Sequence, residues 1–352
     1  MEPKPFLRRR SFAALLAAAV LGGVGSTAGA QSLSLSPLVQ GQAFSLSVTG
    51  AAAPADVALL LGTGGIGPGT CFAPTFCLDL LDPWIVLLIA PADPTGSLLL
   101  NGFVPPGFPL VEIDVQAAVV SFAPGITPLT KTNAVSRLVE TIAVYSDTFA
   151  GATLDPAWRL HEAAEMQSPV VQNDTLYLLP TATGAAATWF QNEEGPGLFK
   201  PVTGDFTVTA TVLVSNPAAA SPIPVPPPIS YRLAGLLARD PASLPGDRNS
   251  VHVALGAGDS AVPLAVEDKT TDGSVSVFQL HPTPSHHAEL RLQRTGPVFT
   301  MSWRPAAGGA WNIVATHVRL DLPATLEVGP MAYSNFTPAL ILAEFADVTF
   351  AP

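Results

Sequence analysis

The sequence contains little charge, and least of all positive charge. Only 12% of its 352 residues are Asp, Glu, Lys or Arg, and the net charge is −11 at pH 7. An acidic surface repels the phosphate backbone, so nucleic acid is not expected as a partner. The four lysines do not cluster, which also argues against a patch that binds anionic membranes.

Long apolar runs are missing after the first thirty residues. No later segment reaches 18 uninterrupted apolar residues, so membrane insertion is not expected. The chain starts with arginines at 8–10, an apolar stretch at 12–24 and small residues at 28–30. This order predicts a signal peptide over residues 1–30, cleaved near Ala30. The arginines fit either the general secretory or the twin-arginine route, and the mature protein is expected to be secreted, at the cell surface or periplasmic.

Cysteine is scarce, and the two cysteines present are close together. Cys71 and Cys77 are separated by five residues. In an oxidising compartment, two cysteines in one loop most simply form a disulfide. A zinc site would need four ligands, and no histidine lies nearby in the sequence. We therefore predict a disulfide between Cys71 and Cys77.

Proline and glycine interrupt the chain too often for long helices. There are 36 Pro and 29 Gly scattered between apolar runs, and 48% of the residues are hydrophobic. Proline lacks an N–H donor and clashes inside a helix, so this composition favours short strands joined by turns. We predict an all-β protein with a small β-sandwich domain at 31–143 and a larger one at 144–352.

Polar and apolar residues alternate along several segments of both domains. Residues 32–36 and 44–48 alternate in the first domain, and residues 206–214 alternate in the second. A period of two is typical of strands with one buried face. Residues 289–303 alternate on both sides of a turn at 295–297, which predicts a hairpin.

Several stretches of the second domain resemble the concanavalin A-like lectin and glucanase domains, in the same order along the chain. They are Asp147-Thr148-Phe149, Leu154-Asp155-Pro156-Ala157-Trp158, Gly204-Asp205-Phe206-Thr207-Val208, Ala234-Gly235-Leu236-Leu237-Ala238-Arg239-Asp240, Leu292-Gln293-Arg294-Thr295-Gly296, Val328-Gly329-Pro330-Met331-Ala332-Tyr333-Ser334 and Ala343-Glu344-Phe345-Ala346-Asp347-Val348. The resemblance spans residues 147–350 and is to the accessory type found in secreted bacterial proteins. It implies a two-sheet jelly roll and a non-catalytic, carbohydrate-binding role. Residues 31–140 resemble small Ig-like domains of bacterial surface proteins, which implies no activity.

Trp189, Gln191 and Asn192 are the candidate ligand-binding residues. A curved sheet can bind a sugar when an aromatic ring stacks on it and short polar side chains meet its hydroxyl groups. Trp189 has a polar setting, because Gln191 and Asn192 follow it closely. The alternative is that Trp189 fills one end of the core.

Asp147 and Asp347 form a second candidate site. They lie at opposite ends of the second domain in the sequence, and the first and last strands often pair in this kind of sandwich. Two carboxylates and nearby carbonyl oxygens could hold a structural calcium ion. The alternative is that both carboxylates are simply solvated at strand ends.

No segment matches a catalytic motif in full. Residues 112–116 read Glu-Ile-Asp-Val-Gln, which is similar to the Glu-x-Asp-x-Glu strand of glucanases except that Gln116 replaces the third acid. These polar residues more simply form the wet face of an amphipathic strand. Ser260 follows Gly-Asp, as in some esterases, but no histidine has the Asp partner at the expected spacing. His281, His286 and His287 are expected in an exposed loop.

Together these patterns predict a secreted, non-catalytic protein whose lectin-like domain binds polysaccharide. A structural or adhesive cell-surface protein without glycan binding is the alternative. A glycoside hydrolase is less favoured, because the paired carboxylates that glycosidic cleavage needs are not apparent.

Overall fold

The computed structural model describes residues 31–73, 76–121, 129–181 and 188–352. The predicted signal peptide, residues 1–30, lies outside the described residues. The chain forms two compact units that divide between Thr141 and Ile142, two residues before the expected boundary. The described residues contain strands and two short 3₁₀ helices, Ile142–Tyr145 and Ala163–Glu165, which confirms the all-β prediction. No helix in these ranges is long and apolar enough to cross a membrane.

The described residues of the first unit form eleven strands in a layered arrangement. They are β1 Ser32–Leu35, β2 Leu38–Val39, β3 Ala43–Thr49, β4 Ala55–Gly62, β5 Cys71–Ala73, β6 Phe76–Cys77, β7 Trp84–Pro91, β8 Leu98–Phe103, β9 Glu112–Ser121, β10 Leu129–Lys131 and β11 Val135–Glu140. One sheet has the order β1-β3-β8, and a second has the order β2-β11-β9-β4-β7 with β10 beside β9. The alternating apolar residues of β1, β3, β4 and β9 meet in one buried cluster, as a period of two requires.

The predicted disulfide is present. Cys71 and Cys77 are bonded and pair across the short hairpin of β5 and β6. The following segment packs Leu78 and Leu80 into a second apolar cluster, which also contains Leu60 of β4. The cluster lies on the other side of the sheet from the first, so β4 and β9 are covered on both faces.

Because this segment packs on the second face of the sheet, one prediction from the sequence is wrong. Asp114 and Gln116 were expected on a wet face, but both are buried. Asp114 Oδ2 accepts a hydrogen bond from Gly65 N at 2.8 Å. Gln116 Oε1 accepts from Asp79 N at 2.9 Å, and its Nε2 donates to Thr132 O at 2.9 Å. Asp114 and Gln116 on the polar face of β9 therefore anchor the covering segment, whereas Glu112 at the start of the strand stays exposed.

In the second unit, the residues that the structure describes form fourteen strands. They are β12 Arg159–His161, β13 Val170–Gln172, β14 Thr175–Leu178, β15 Gly197–Thr203, β16 Phe206–Ser215, β17 Arg232–Arg239, β18 Ser250–Ala257, β19 Leu264–Asp272, β20 Val275–Pro282, β21 His287–Thr295, β22 Val298–Pro305, β23 Asn312–Val318, β24 Thr325–Ser334 and β25 Leu342–Ala351. The front sheet has the order β12-β15-β24-β17-β18-β19-β20, and the back sheet has the order β13-β14-β25-β16-β21-β22-β23. All neighbours pair antiparallel. The two seven-stranded sheets form a jelly-roll sandwich.

The back sheet shows the alternation expected from its sequence. Phe206, Val208, Ala210, Val212 and Val214 of β16 are buried, and the residues between them up to Leu213 are partly exposed. The hairpin predicted at 289–303 is formed by β21 and β22. These apolar side chains make the dry face of the back sheet, because a strand directs alternate side chains to opposite faces.

The front sheet differs, because its central strands are covered on both faces. Every residue of β17 and β18 is buried. Leu233 and Leu237 of β17 pack in a cluster with Trp189, which comes from the segment 188–194 between β14 and β15. This segment lies over the outer face of the front sheet, the face directed away from the back sheet. Segment 188–194 covers only part of the outer face, and the candidate site lies beside the segment on the same face.

The buried amide of Gln116 generates a stability prediction for the first unit. Gln116→Leu should destabilise this unit by about 2–4 kcal/mol, because Asp79 N and Thr132 O would each lose a buried partner. Urea unfolding, with hydrogen exchange of β9 as the local readout, measures this loss. The matched control is Glu112→Gln on the exposed end of the same strand, which should change stability by less than about 0.5 kcal/mol. Equal effects of the two substitutions would contradict the assignment.

Candidate functional site

A pocket of about 290 Å³ lies on the outer face of the front sheet. Its lining combines the segment before β15, the strands β19 and β20, the end of β24 and the residue before β17. The lining residues are Thr188, Phe190, Glu193, Tyr231, Glu267, Lys269, Phe278, Tyr333 and Asn335. Strand alternation places Glu267 and Lys269 on the pocket side of β19, and Asp268 between them points the other way.

A buried carboxylate forms the floor of this pocket. Glu267 is fully buried, and three side chains contact its Oε1 atom. Tyr333 donates its hydroxyl at 2.6 Å, Lys269 Nζ lies at 2.9 Å and His252 Nε2 lies at 2.8 Å. Lys269 also donates to the Tyr333 hydroxyl oxygen at 3.2 Å. Because the four side chains come from β18, β19 and β24, the network links strands that are separated in the sequence.

The protonation states follow from this arrangement. Burial alone would raise the pKa of Glu267, but the charge of Lys269 and the hydrogen bond from His252 outweigh it and lower the pKa to about 2. Burial and the nearby Lys269 charge lower the pKa of His252. Burial and the Glu267 charge raise the pKa of Tyr333 well above its usual value. At neutral pH, Glu267 is therefore a carboxylate that accepts from neutral His252 and protonated Tyr333.

Aromatic rings form the walls of the pocket. The Phe278 ring meets the Tyr231 ring edge to face, with centroids 5.8 Å apart, and the Phe190 ring in the same manner at 6.1 Å. Lys269 Nζ lies 4.8 Å from the Tyr333 ring centroid and 5.5 Å from that of Phe278. These contacts hold the walls and the ammonium group together through ring packing and cation–π attraction.

Two buried acceptor atoms at the pocket have no hydrogen-bond partner among the described residues. They are Glu267 Oε2 and Asn335 Oδ1. The backbone N–H of Asn335 donates to Tyr231 O at 3.0 Å, which fixes the backbone of this residue beside the pocket. An unpartnered buried acceptor is costly, so both atoms favour a ligand that donates hydrogen bonds.

Trp189 lies in the core and not on a binding surface. Its exposure is only 3%. One side of the indole stacks on His161, with ring centroids 5.6 Å apart, and its edge meets Phe199 at 5.9 Å. The structure contradicts Trp189 as a platform for sugar stacking and supports the alternative that it fills the core. The reason is that the segment 188–194 folds down onto the front sheet, which the polar residues after Trp189 do not reveal.

Gln191 and Asn192 hold this segment in place. Both residues are exposed. Gln191 N donates to Ser276 Oγ at 2.7 Å, and Asn192 Oδ1 accepts from Gly246 N at 2.5 Å. Neither residue lines the 290 Å³ pocket, whereas Phe190 and Glu193 do. Residues of the predicted segment thus line the pocket, but they are not the side chains that the sequence singled out.

Asp147 pairs with the strand that contains Asp347, which is an interior residue of β25. Asp147 bridges Val348, with Asp147 N donating to Val348 O at 2.8 Å. Asp147 Oδ1 accepts from Phe149 N, and Oδ2 accepts from Trp158 Nε1, both at 2.7 Å. A calcium ion would compete with these two donors for the carboxylate. The calcium site stays a prediction.

Another acidic group is balanced by arginine. His161, Glu162 and Glu194 place their potential ligand atoms within 4.8 Å of one another. Glu194 Oε1 lies 2.7 Å from Arg239 Nη2, and Oε2 lies 2.9 Å from Arg248 Nη1. Two guanidinium groups already neutralise Glu194 and would repel a cation, so this cluster is better explained as an ion-pair network.

The histidines of residues 281–287 lie in or beside strands, so the expected exposed loop is wrong for part of this segment. His281 belongs to β20, and its Nε2 lies 2.6 Å from Asp268 Oδ2. His317 of β23 contacts the other oxygen of the same carboxylate at 3.2 Å. His286 Nδ1 contacts Val214 O at 2.7 Å. Asp268 thus connects the edges of the front and back sheets, a contact for which the sequence offers no local signal.

Comparisons with known proteins identify no family. No protein-family model matches the chain, and no curated protein matches it. Among solved structures, the GH43 protein BlXynB from Bacillus licheniformis matches with a TM-score of 0.45 and 11% identity, covering 68% of this chain and 51% of that protein. Lectin I-B4 from Griffonia simplicifolia matches with a TM-score of 0.41 and 13% identity, covering 58% of this chain and 98% of the lectin. A β-1,3-glucanase from Mycobacterium marinum matches with a TM-score of 0.38 and 12% identity, covering 59% and 98%. The chain spans about half the length of BlXynB, and likenesses of this size do not carry a functional conclusion.

The pKa of Glu267 predicts a dependence of stability on pH. A carboxyl whose pKa is lowered in the folded state stabilises the protein above its unfolded pKa, and this stability is lost as the pH falls. With a folded pKa of about 2 and an ordinary value of 4.5, Glu267 should account for a loss of about 2 kcal/mol between pH 5 and pH 3. Urea unfolding at both pH values, with hydrogen exchange of β18 and β19, measures the loss.

Glu267→Gln is the matched variant for this measurement. It should be less stable than wild type at pH 7, because Lys269 would be left buried without its counter-charge. Its further loss between pH 5 and pH 3 should be smaller than that of wild type, since position 267 no longer titrates. Identical losses in the two proteins would show that Glu267 does not carry the low pKa.

Proposed function

We propose that this chain is an exported, non-catalytic protein that binds carbohydrate in the pocket of the front sheet. The observation that carries the proposal is the combination of aromatic walls and a buried, charged floor in one pocket of about 290 Å³. Ring faces pack on the apolar C–H face of a sugar, and fixed polar groups meet its hydroxyls. The volume is at the lower end of ligand pockets, which suits one sugar unit at a time.

The floor of the pocket is organised before any ligand binds. Glu267, Lys269, His252 and Tyr333 are all buried, and each has at least one partner within the group. Side chains that are already fixed lose little conformational freedom on binding, so more of the interaction energy contributes to affinity. The arrangement therefore supports recognition of a defined ligand over non-specific adhesion.

The chemistry of Glu267 favours binding over hydrolysis. Glycosidic cleavage needs a general acid that is protonated at working pH and a second carboxylate at a set distance from it. Glu267 has a pKa of about 2, and its Oε1 is occupied by three neighbours, so it is suited to accepting hydrogen bonds and not to donating a proton. Glu193 also lines the pocket, but it is exposed and accepts from Thr188 Oγ1 at 2.5 Å.

Export is proposed on two features of the sequence and structure. The first thirty residues have the order of a signal peptide, and Cys71 and Cys77 are bonded to each other. Structural disulfides persist in oxidising compartments outside the cytosol. A location in the extracellular space, at the cell surface or in the periplasm would bring the pocket into contact with polysaccharide.

A structural or adhesive role is the second candidate, and one observation in the first unit favours it. Strand β7 lies at the edge of its sheet and exposes Ile85, Leu87, Leu88 and Ile89 by 36% to 56%. An apolar edge strand can pair with a strand of another chain. This role does not require the pocket of the second unit.

A glycan array with the purified protein tests carbohydrate binding, and Phe278→Ala tests the site. We expect retention of at least one glycan, with affinity lowered roughly tenfold in Phe278→Ala, because the variant loses a stacking wall. Phe278 is 37% exposed, so its truncation should be tolerated by the fold. Val277→Ala is the control, because Val277 is exposed on the opposite face of β20 and should bind as wild type does.

Three outcomes would count against the proposal. If the protein retains no glycan, carbohydrate binding is contradicted. If Phe278→Ala binds with unchanged affinity, the pocket is not the binding site. Release of shorter sugars from the retained glycan, measured by chromatography and lost in Glu267→Gln, would replace the non-catalytic role with hydrolysis.

A further inference from the structure

We infer that the pocket selects an uncharged sugar, which it recognises through hydroxyl donors to Glu267 Oε2 and Asn335 Oδ1, and that it rejects sugars carrying a carboxylate. The inference deepens the proposed carbohydrate binding and rests on it. It concerns which class of sugar the pocket accepts, and it assigns Glu267, Asn335 and Glu193 as the residues that determine this selection.

The two oxygens of Glu267 have different environments. All three neighbours of the carboxylate contact Oε1, whereas Oε2 is buried without a partner among the described residues. A desolvated carboxylate oxygen without a donor is costly. A ligand hydroxyl at Oε2 would form a charge-assisted hydrogen bond, which is stronger than one between neutral groups. Glu267 therefore provides a fixed acceptor in the pocket lining, and the hydrogen-bonding capacity of its Oε2 is unused.

Asn335 provides the second acceptor. Its Oδ1 atom is buried and has no partner in the described part of the chain, and its backbone is held by Tyr231 O. It lines the same pocket as Glu267. A ligand that meets both atoms must carry at least two hydrogen-bond donors, a requirement that the hydroxyl groups of a sugar fulfil.

The charge of the lining disfavours an anionic ligand. Glu193, Glu267 and Lys269 are the acidic and basic side chains of the lining. Lys269 is already paired with Glu267 at 2.9 Å, which leaves the Glu193 charge uncompensated within the lining. The pKa of Tyr231 is raised by burial and by the negative charges of Asp259 and Glu267, so acidic groups also act on this wall. A carboxylate on the ligand would be repelled and would lack a free cationic partner.

The same lining disfavours a cationic ligand. The Lys269 ammonium group already lies within 4.8 to 5.7 Å of the ring centroids of Tyr333, Phe278 and Phe190. A ligand ammonium at these rings would be brought close to Lys269 and would be repelled by it. Uncharged sugars avoid both conflicts, and their hydroxyls can still donate to the two unpartnered acceptors.

Matched methyl glycosides test the selection by charge. We would titrate the purified protein with methyl glucoside, methyl galactoside, the corresponding methyl glucuronide and galacturonide, and methyl glucosaminide, using ligand-observed NMR at millimolar concentrations. At least one neutral glycoside should bind about fivefold or more tightly than the uronide of the same sugar. If that sugar is glucose, it should also bind about fivefold or more tightly than methyl glucosaminide. Glu193→Gln should narrow the gap between the neutral sugar and the uronide, because it removes the uncompensated charge.

Substitutions of Asn335 test the open acceptor. Asn335→Leu should weaken binding of the neutral glycoside about fivefold, the effect of losing one hydrogen bond. Asn335→Asp places acceptor oxygens at both terminal positions of the side chain and should keep the neutral glycoside within about twofold of wild type. Asn312→Leu is the control, because Asn312 is exposed on β23 of the back sheet.

The outcomes separate this inference from the proposed function. Binding of a uronide or of the glucosaminide as tightly as its neutral counterpart overturns the inference and leaves carbohydrate binding intact. Unchanged affinity in Asn335→Leu overturns it as well. Failure of the protein to bind any of these glycosides, together with an empty glycan array, contradicts both.

Discussion

The buried carboxylate of Glu267 is the constraint on which the front sheet depends. An isolated charge in a protein interior is strongly unfavourable, so it persists only with a counter-charge and hydrogen bonds. Lys269 supplies the charge from the same strand, while His252 and Tyr333 approach from β18 and β24. Any shift in register between these strands would separate the carboxylate from its donors. The network therefore favours one alignment of the strands that form the floor of the pocket.

The position of the pocket is decided by what covers the rest of the same face. The segment 188–194 lays Trp189 over Leu233 and Leu237, so the outer face at β17 is filled. Phe190 and Glu193 of that segment turn towards β19 and β20 and become one wall. The core residue Trp189 and the pocket residue Phe190 are thus adjacent in the sequence. The packing of segment 188–194 on the front sheet buries Trp189 and places Phe190 in the pocket lining.

The strands could be predicted from the sequence, but the segments that pack over their polar faces could not. A period of two identifies β16 and the hairpin of β21 and β22, because one face of each is apolar and the other meets solvent. The same period predicts a wet face for Asp114 and Gln116, yet that face is buried under the segment that contains Asp79. Glu267 and Lys269 alternate in the same way on β19 and are also buried. Alternation shows that two faces differ, but a polar face can be buried by a segment that is far away in the sequence.

The disulfide could be predicted because its two cysteines are close together in the chain, whereas the contact of Asp268 with His317 depends on the fold of both sheets.

Binding and hydrolysis make opposite demands on a carboxyl group, and this contrast gives the pocket its interpretation. A general acid must hold a proton near neutral pH, which requires an environment that disfavours the carboxylate. The surroundings of Glu267 do the reverse, since Lys269, His252 and Tyr333 all stabilise the charged form. A carboxylate fixed in this way is a strong and immobile hydrogen-bond acceptor. The same three neighbours all contact Oε1 and leave the buried Oε2 without a partner among the described residues. The network therefore determines both that the group stays charged and which of its oxygens keeps an unused acceptor position.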